Sequence, residues 1–153
     1  MGKGLKPDYF VCINSIFDTE LHIPNYNLIR RDRNRQGGGV CIFIRSDLAF
    51  NPHDDLLSDD LEALWIKLIL PKTKPFITGT VHRPPKQTDF YTTLGNVFLN
   101  NHDLNHSETY ILGDFNTDVS LSLQSSLNFM HMFNFKQLIQ YFTRISTNSS
   151  SVT

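Results

Sequence analysis

The sequence has few cysteines and no long hydrophobic segment, and both features narrow the class of protein. Its two cysteines, Cys12 and Cys41, lie in separate apolar segments without the spacing of a zinc site, so we predict reduced, buried thiols. No apolar segment approaches the roughly 18 to 20 residues that a membrane-spanning helix needs. The N-terminus also lacks the pattern of a signal peptide. The sequence therefore predicts a soluble, intracellular protein with no membrane partner.

An excess of positive charge is also missing. Fourteen Lys and Arg residues oppose 15 Asp and Glu residues, which gives a formal net charge of -1. The chain as a whole therefore lacks the positive field of many nucleic-acid binders, and any such binding must come from a local patch. With 153 residues, 40% of them hydrophobic, the sequence predicts one globular domain over residues 1–153.

Short apolar segments rich in β-branched and aromatic residues predict strands. They are YFVCI (9–13), VCIFIR (40–45), ALWIKLIL (63–70), FITGTVHR (76–83) and TYILGDF (109–115). The polar turn in LPKTKPF, between the third and fourth of these segments, predicts an antiparallel hairpin.

Two further segments have the periodicity of helices. TDFYTTLGNVFLNN has an apolar face with helical spacing, formed by Phe90, Leu94, Val97 and Phe98. LSLQSSLNFMHMFNF has a stripe for core packing, formed by Leu123, Leu127 and Met130. Hairpins combined with connecting helices predict a layered α/β fold in which at least part of the sheet is antiparallel.

The segment GDFN places Asp114 and Asn116 at the end of a predicted strand. Alternate residues of a strand point to the same face, so both side chains can serve one site. A turn or helix-cap role for Asp114 is the alternative, because Asp is common at strand ends. The residues of this segment alone do not decide between these two interpretations.

The order of several motifs is more specific. RRDRNRQGGGVCIFIRS, LEALWIKL, GTVHRPP, YILGDFN and FNFKQLIQYFTRIS follow one another as in the endonuclease region of LINE-type, non-LTR retrotransposons, which the chain resembles over about residues 5–153. That region belongs to the endonuclease/exonuclease/phosphatase superfamily. The resemblance implies a deoxyribonuclease I-like β-sandwich flanked by helices, with Mg²⁺ as cofactor and DNA as substrate. It also implies a reverse transcriptase domain in the same polyprotein and a nuclear location.

The resemblance also implies roles for individual residues. Asp114 orients or deprotonates the attacking water, and Asn116 hydrogen-bonds the phosphate. His82 stands where these elements usually have a phosphate-contacting tyrosine, and a solvent-facing histidine at a strand end is the alternative. Further polar side chains of the matching motifs are expected at the substrate: Arg83, Thr143 and Arg144. On the alternative interpretation, Thr143 and Arg144 are ordinary polar residues of a loop.

A local basic cluster precedes the glycines of the first motif. It consists of Arg30, Arg31, Arg33 and Arg35. Arginine suits bidentate contacts to phosphate, and phosphate contacts dominate non-specific DNA affinity. We expect DNA contact here, with a solvated turn as the alternative.

The resemblance is incomplete in ways that bear on catalysis. The principal metal-ligating glutamate of the family has no counterpart in CINSIFDTELHIPNY, where Asn14 is the nearest match and Asp18 and Glu20 lie nearby. The family's first strand and its C-terminal Asp-His motifs have no match either. We therefore expect an interior fragment of a magnesium-dependent endonuclease domain that is catalytically incomplete. A non-catalytic module that binds DNA or another partner is the alternative.

Overall fold

A computed structural model describes residues 7–13, 22–32, 39–116 and 124–138. Its strands are β1 Tyr9–Ile13, β2 Tyr26–Asp32, β3 Gly39–Arg45, β4 Ala49–Pro52, β5 Glu62–Ile69, β6 Phe76–His82 and β7 Thr109–Asp114. Its helices are α1 Phe90–Leu99, α2 His102–His106 and α3 Gln124–Met132, with a 3-10 turn at Asp54–Leu56. The chain divides into two compact units, one ending at Asn116 and the other beginning at Thr117.

The first unit contains two sheets. A three-stranded antiparallel sheet has the order β1-β3-β2, and a four-stranded sheet has the order β4-β5-β6-β7. Neighbouring strands of the second sheet are antiparallel except β6 and β7, which run parallel. A parallel pair needs a crossover connection, and α1 and α2 lie within it. The predicted α/β class, the hairpin of β5 and β6 and the adjacency of β5, β6 and β7 are confirmed.

Alternation along the strands forms the core that both sheets share. Every second residue of β3 and β5 packs into this core, together with residues of the neighbouring strands. The buried cluster consists of Val40, Ile42, Ile44, Leu48, Leu64, Ile66, Leu68 and Phe76. Because both sheets contribute to one cluster, neither sheet buries its apolar face alone.

The opposite face of the second sheet is buried as well. Trp65 on β5 is fully buried and meets Phe98 of α1 edge to face, with the ring centroids 5.8 Å apart. Gly79 on β6 makes room for this indole, since a Cβ there would lie 2.3 Å from the Trp65 ring. Burial on both faces explains why the β5 sequence reads as a nearly continuous apolar run.

The structure adds strands that apolar content does not indicate. β2 carries Arg30 and Arg31, and β4 is a short edge strand that ends at Pro52. Arg30 and Arg31 of the basic cluster therefore lie within a strand. Edge strands tolerate polar residues and proline because one side of the strand makes no ladder hydrogen bonds.

The predicted second helix forms as α3, but its apolar stripe is displaced. Ser126 and Phe129 are buried, whereas Leu127 and Met130 are only half-buried. Leu123 lies outside the described residues. The large Phe129 ring stacks on Phe135 at a centroid distance of 5.6 Å, which places this residue in the buried position.

The predicted reduced thiol is wrong for Cys41, which is disulfide-bonded. The reason lies in the strand register, which sets Cys41 of β3 directly opposite Cys12 of β1. Residues directly opposite in an antiparallel pair are about 4.5–5.5 Å apart at their Cα atoms, within the range that a disulfide spans. Two segments that are far apart in sequence are therefore neighbours in the sheet.

None of the helices in the described parts of the chain is both long and apolar enough to cross a membrane.

Candidate active site

Three ionisable side chains form one row across the second sheet. The strand register places Glu62 of β5 opposite His82 of β6, and His82 beside Asp114 of β7. His82 and Asp114 are the last residues of their parallel strands, and Glu62 is the first residue of its antiparallel strand. Residues directly opposite each other in a sheet project their side chains to the same face. The three groups therefore share one face at one end of the sheet.

Glu62 and His82 are joined by a hydrogen bond. The Nδ1 atom of His82 lies 2.7 Å from Oε2 of Glu62, and the two side chains are 20% and 12% exposed. An ionised carboxylate only accepts, so a hydrogen bond with it uses the Nδ1–H of His82 and leaves Nε2 as the other ring nitrogen. The alternative of a solvent-facing histidine at a strand end does not describe His82. A carboxylate-oriented imidazole is a common arrangement for general acid or base chemistry.

Asp114 and Asn116 are joined through the backbone. The N–H of Asn116 donates to Oδ1 of Asp114 at 2.9 Å, and Asn116 has a left-handed φ of 43°. This is an Asx turn, in which a short polar side chain bonds the backbone two residues on. Strand alternation was the wrong reason to expect the two residues on one side, because β7 ends at Asp114. Asp114 therefore has the turn role and also lies close to Asn116.

Gly113 makes this geometry possible. Its φ is +138°, a region that side-chain-bearing residues rarely adopt. A Cβ at this position would lie 1.8 Å from the carbonyl oxygen of Val81 on β6. The glycine of GDFN is therefore required by the close approach of β7 to β6 immediately before Asp114.

Arg83 holds the loop that follows β7. Its side chain is 7% exposed, and Nε donates to the carbonyl of Gln87 at 3.0 Å. One terminal nitrogen donates to the carbonyls of Phe115 and Asn116 at 3.4 and 3.2 Å. Asn116 in turn donates from Nδ2 to the Arg83 carbonyl at 2.7 Å. These contacts position Asn116, and the predicted contact of Arg83 with substrate stays a prediction.

Arg30 and Arg31 of the basic cluster bond to groups outside this row. Arg30 pairs with Asp32 at 2.7 Å. The Arg31 guanidinium bonds to three backbone carbonyls, those of Ser58 and Leu61 before β5 and that of Ala63 at its start. Arg31 therefore links β2 to the start of the second sheet. The other predicted substrate contacts, Arg33, Arg35, Thr143 and Arg144, lie outside the described residues.

Two carboxylates of the row already accept hydrogen bonds from protein groups. Magnesium prefers oxygen ligands in strict octahedral geometry. Glu62 is bonded to the His82 ring, and Oδ1 of Asp114 accepts the Asn116 amide. Within the part of the chain that the structure describes, no group of three or more His, Cys, Asp or Glu side chains is placed to hold a metal. Asn14, Asp18 and Glu20 lie outside that part.

Glu62 is the residue of the row that the sequence analysis missed. A signal for it was present in the predicted hairpin. Counting outward from the turn pairs Leu68 with Phe76, and the same register continued to the strand ends pairs Glu62 with His82.

No family model matches the chain, and no curated protein matches it.

Proposed function

We propose that the chain is part of a DNA endonuclease domain of the endonuclease/exonuclease/phosphatase superfamily, of the type that accompanies reverse transcriptase in LINE-type retrotransposons. The observation that carries the proposal is the row of Glu62, His82 and Asp114. It brings together the HRPP and GDFN motifs, which lie far apart in the sequence. The order of the motifs supports the assignment to this superfamily, and the row supports a role in phosphodiester hydrolysis.

The row supplies part of the chemistry of phosphodiester hydrolysis. Such a reaction needs a group that moves a proton and donors that hold the phosphate oxygens. His82, oriented by Glu62, transfers a proton at Nε2. Asp114 orients the attacking water. Asn116 contacts the phosphate, because its amide has two N–H groups and the Arg83 carbonyl accepts from that amide.

The metal half of the reaction is not supplied by the described residues. The superfamily uses Mg²⁺ to neutralise charge on the phosphate. Since the metal-ligating glutamate of the superfamily has no counterpart in CINSIFDTELHIPNY, we propose a catalytically incomplete domain that binds DNA without cutting it efficiently. The missing glutamate also favours the second candidate, a non-catalytic remnant that binds DNA or another partner. Both share the row and differ in residual cleavage.

Two assays on the purified chain test this function. Fluorescence anisotropy with a labelled duplex at low salt measures binding, and conversion of supercoiled plasmid in millimolar Mg²⁺ measures nicking. We expect salt-sensitive binding that His82→Ala weakens several-fold, because the resemblance places His82 where a tyrosine contacts the phosphate. His131→Gln, an exposed histidine on α3, is the control and should bind as the native chain does.

The nicking assay tests whether the domain is catalytically incomplete. We expect the native chain to nick plasmid no faster than Asp114→Ala. Nicking that requires Mg²⁺ and is abolished by Asp114→Ala would show a complete enzyme and exclude the remnant. Absence of any DNA binding at low salt would contradict both candidates.

A further inference from the structure

Two histidines stack on α2, away from the row described above. The sequence HDLNH places His102 and His106 four residues apart, at the two ends of this helix, and both are exposed. Residues four apart lie on one face of a helix. The two imidazole rings are nearly parallel, with an interplanar angle of 12° and centroids 3.8 Å apart. The rings therefore present their edges to solvent side by side.

A backbone contact fixes the tautomer of one ring. Nδ1 of His106 lies 2.9 Å from the carbonyl oxygen of His102. A carbonyl oxygen only accepts, so Nδ1 carries the hydrogen and Nε2 carries the lone pair. Metal-ligating histidines commonly donate their other ring N–H to a backbone carbonyl in this way, which orients the ring and raises the basicity of the ligand. His106 therefore has the tautomer and the support of a metal ligand.

We propose that His102 and His106 bind a divalent transition-metal ion, such as Zn²⁺, Ni²⁺ or Cu²⁺, through their Nε2 atoms. At Zn–N distances of 2.0–2.1 Å, two tetrahedral ligand nitrogens lie about 3.4 Å apart. The ring centroids lie 3.8 Å apart and the rings are stacked, so both side chains must rotate to direct their Nε2 lone pairs at one ion. Imidazole suits these ions, whereas Mg²⁺ prefers oxygen ligands.

An ion pair includes a carboxylate of the same helix. Asp103 is exposed on the same helix, and Lys67 of β5 lies 3.8 Å from its carboxylate. The lysine in this contact is therefore paired with a carboxylate. Two histidines leave coordination positions for water or for a ligand from another molecule, so the site is open.

Metal binding has a structural consequence for α2. The helix spans five residues, from His102 to His106, and a helix of this length is not stable on its own. Its first turn is capped by Asn101, whose side chain accepts from the N–H of Leu104 at 3.3 Å. An ion bridging the first and last residues clamps the whole helix, which directly precedes β7. The bound ion therefore stabilises the connection into the last strand of the sheet.

Calorimetric titration of the tag-free chain with NiCl₂ and with ZnCl₂ at neutral pH tests the proposal. We expect one ion per chain. His102→Gln and His106→Gln should each weaken binding at least tenfold, because either change leaves a single ligand. His131→Gln is the matched control, since this exposed histidine on α3 has Leu127 and Phe135 four residues away instead of a second histidine. Titration with MgCl₂ should give the same heat for the native chain and for the two variants, His102→Gln and His106→Gln.

The unmodified chain provides a second readout. Cu²⁺ should broaden the NMR signals of α2 before those around His131. Nickel should also raise the melting temperature of the native chain but not that of the His102→Gln variant. Unchanged affinity in both single variants, or broadening centred elsewhere, would overturn the proposal. The outcome does not depend on DNA binding, so it is independent of the function proposed for the row.

Discussion

At the scale of the residue, Gly113 couples the fold to the candidate site. Gly113→Ala introduces a Cβ at a φ of +138° and 1.8 Å from the Val81 carbonyl. Backbone strain of this kind costs about 1–3 kcal/mol, and the steric contact adds to it. We expect the free energy of unfolding, measured by urea titration, to fall by at least about 2 kcal/mol. An alanine variant as stable as the native chain would mean that β7 can move away from β6.

Asp55 provides a residue-scale prediction on pH. Burial raises the pKa of its carboxyl, but hydrogen bonds from His53 and Asn101 outweigh this effect and lower the pKa below its ordinary value. A lowered folded-state pKa gives stability that is present above the unfolded pKa, about 3.9, and is lost as the pH falls through the folded value. The side chain is 63% exposed, so we expect less than about 1 kcal/mol.

The Asp55 prediction is checked by urea unfolding at pH 7, 5 and 3. Asp55→Asn should reduce the free energy of unfolding at pH 7 and 5, and the difference from the native chain should shrink at pH 3. Asp54→Asn, at the neighbouring position in the same 3-10 turn, is the control. A difference that stays constant from pH 7 to 3 would exclude an electrostatic origin.

At the scale of the element, the hairpin of β5 and β6 turns through a strained residue. Lys72 has a left-handed φ of 64°, and it lies in the turn that the sequence predicted. Left-handed backbone costs a non-glycine residue roughly 1–2 kcal/mol, part of which glycine loses again through unfolded-state entropy. Lys72→Gly should therefore increase the free energy of unfolding by about 0.5–1 kcal/mol and raise the melting temperature slightly. Lys74→Gly, an exposed position of the same loop without a positive φ, should lower the melting temperature or leave it unchanged.

The elements also show what sequence patterns could and could not predict. Apolar runs that are buried on both faces, such as β3, β5 and β6, were predicted because their composition is distinctive. Strands β2 and β4 were missed because polar edge strands lack that signal. The residues of the candidate site show the same difference between what sequence patterns do and do not indicate. His82 and Asp114 were found from motifs, whereas Glu62 becomes visible only through the pairing of strands. Likewise, the bonding of Cys41 depends on which strands are neighbours.

At the scale of the whole molecule, the two sheets depend on one shared core. Ile42 belongs to β3 of the three-stranded sheet, and Ile66 belongs to β5 of the four-stranded sheet. The chain has a single tryptophan, Trp65, and it lies on the α1 face of the second sheet. Its fluorescence therefore reports on a layer that Ile42 does not belong to. If the two sheets unfold as one unit, a substitution that destabilises the first sheet must also shift the unfolding transition measured by Trp65 fluorescence.

Ile42→Ala tests this cooperativity. The residue is fully buried, so we expect a loss of about 2–5 kcal/mol in the free energy of unfolding. The Trp65 fluorescence and far-UV circular dichroism transitions in urea should shift together to lower denaturant. Ile69→Ala is the matched control, because this isoleucine of β5 is 38% exposed and its truncation should cost well under about 2 kcal/mol. A Trp65 transition that keeps its native midpoint in Ile42→Ala, while circular dichroism shifts, would show that the second sheet folds without the first.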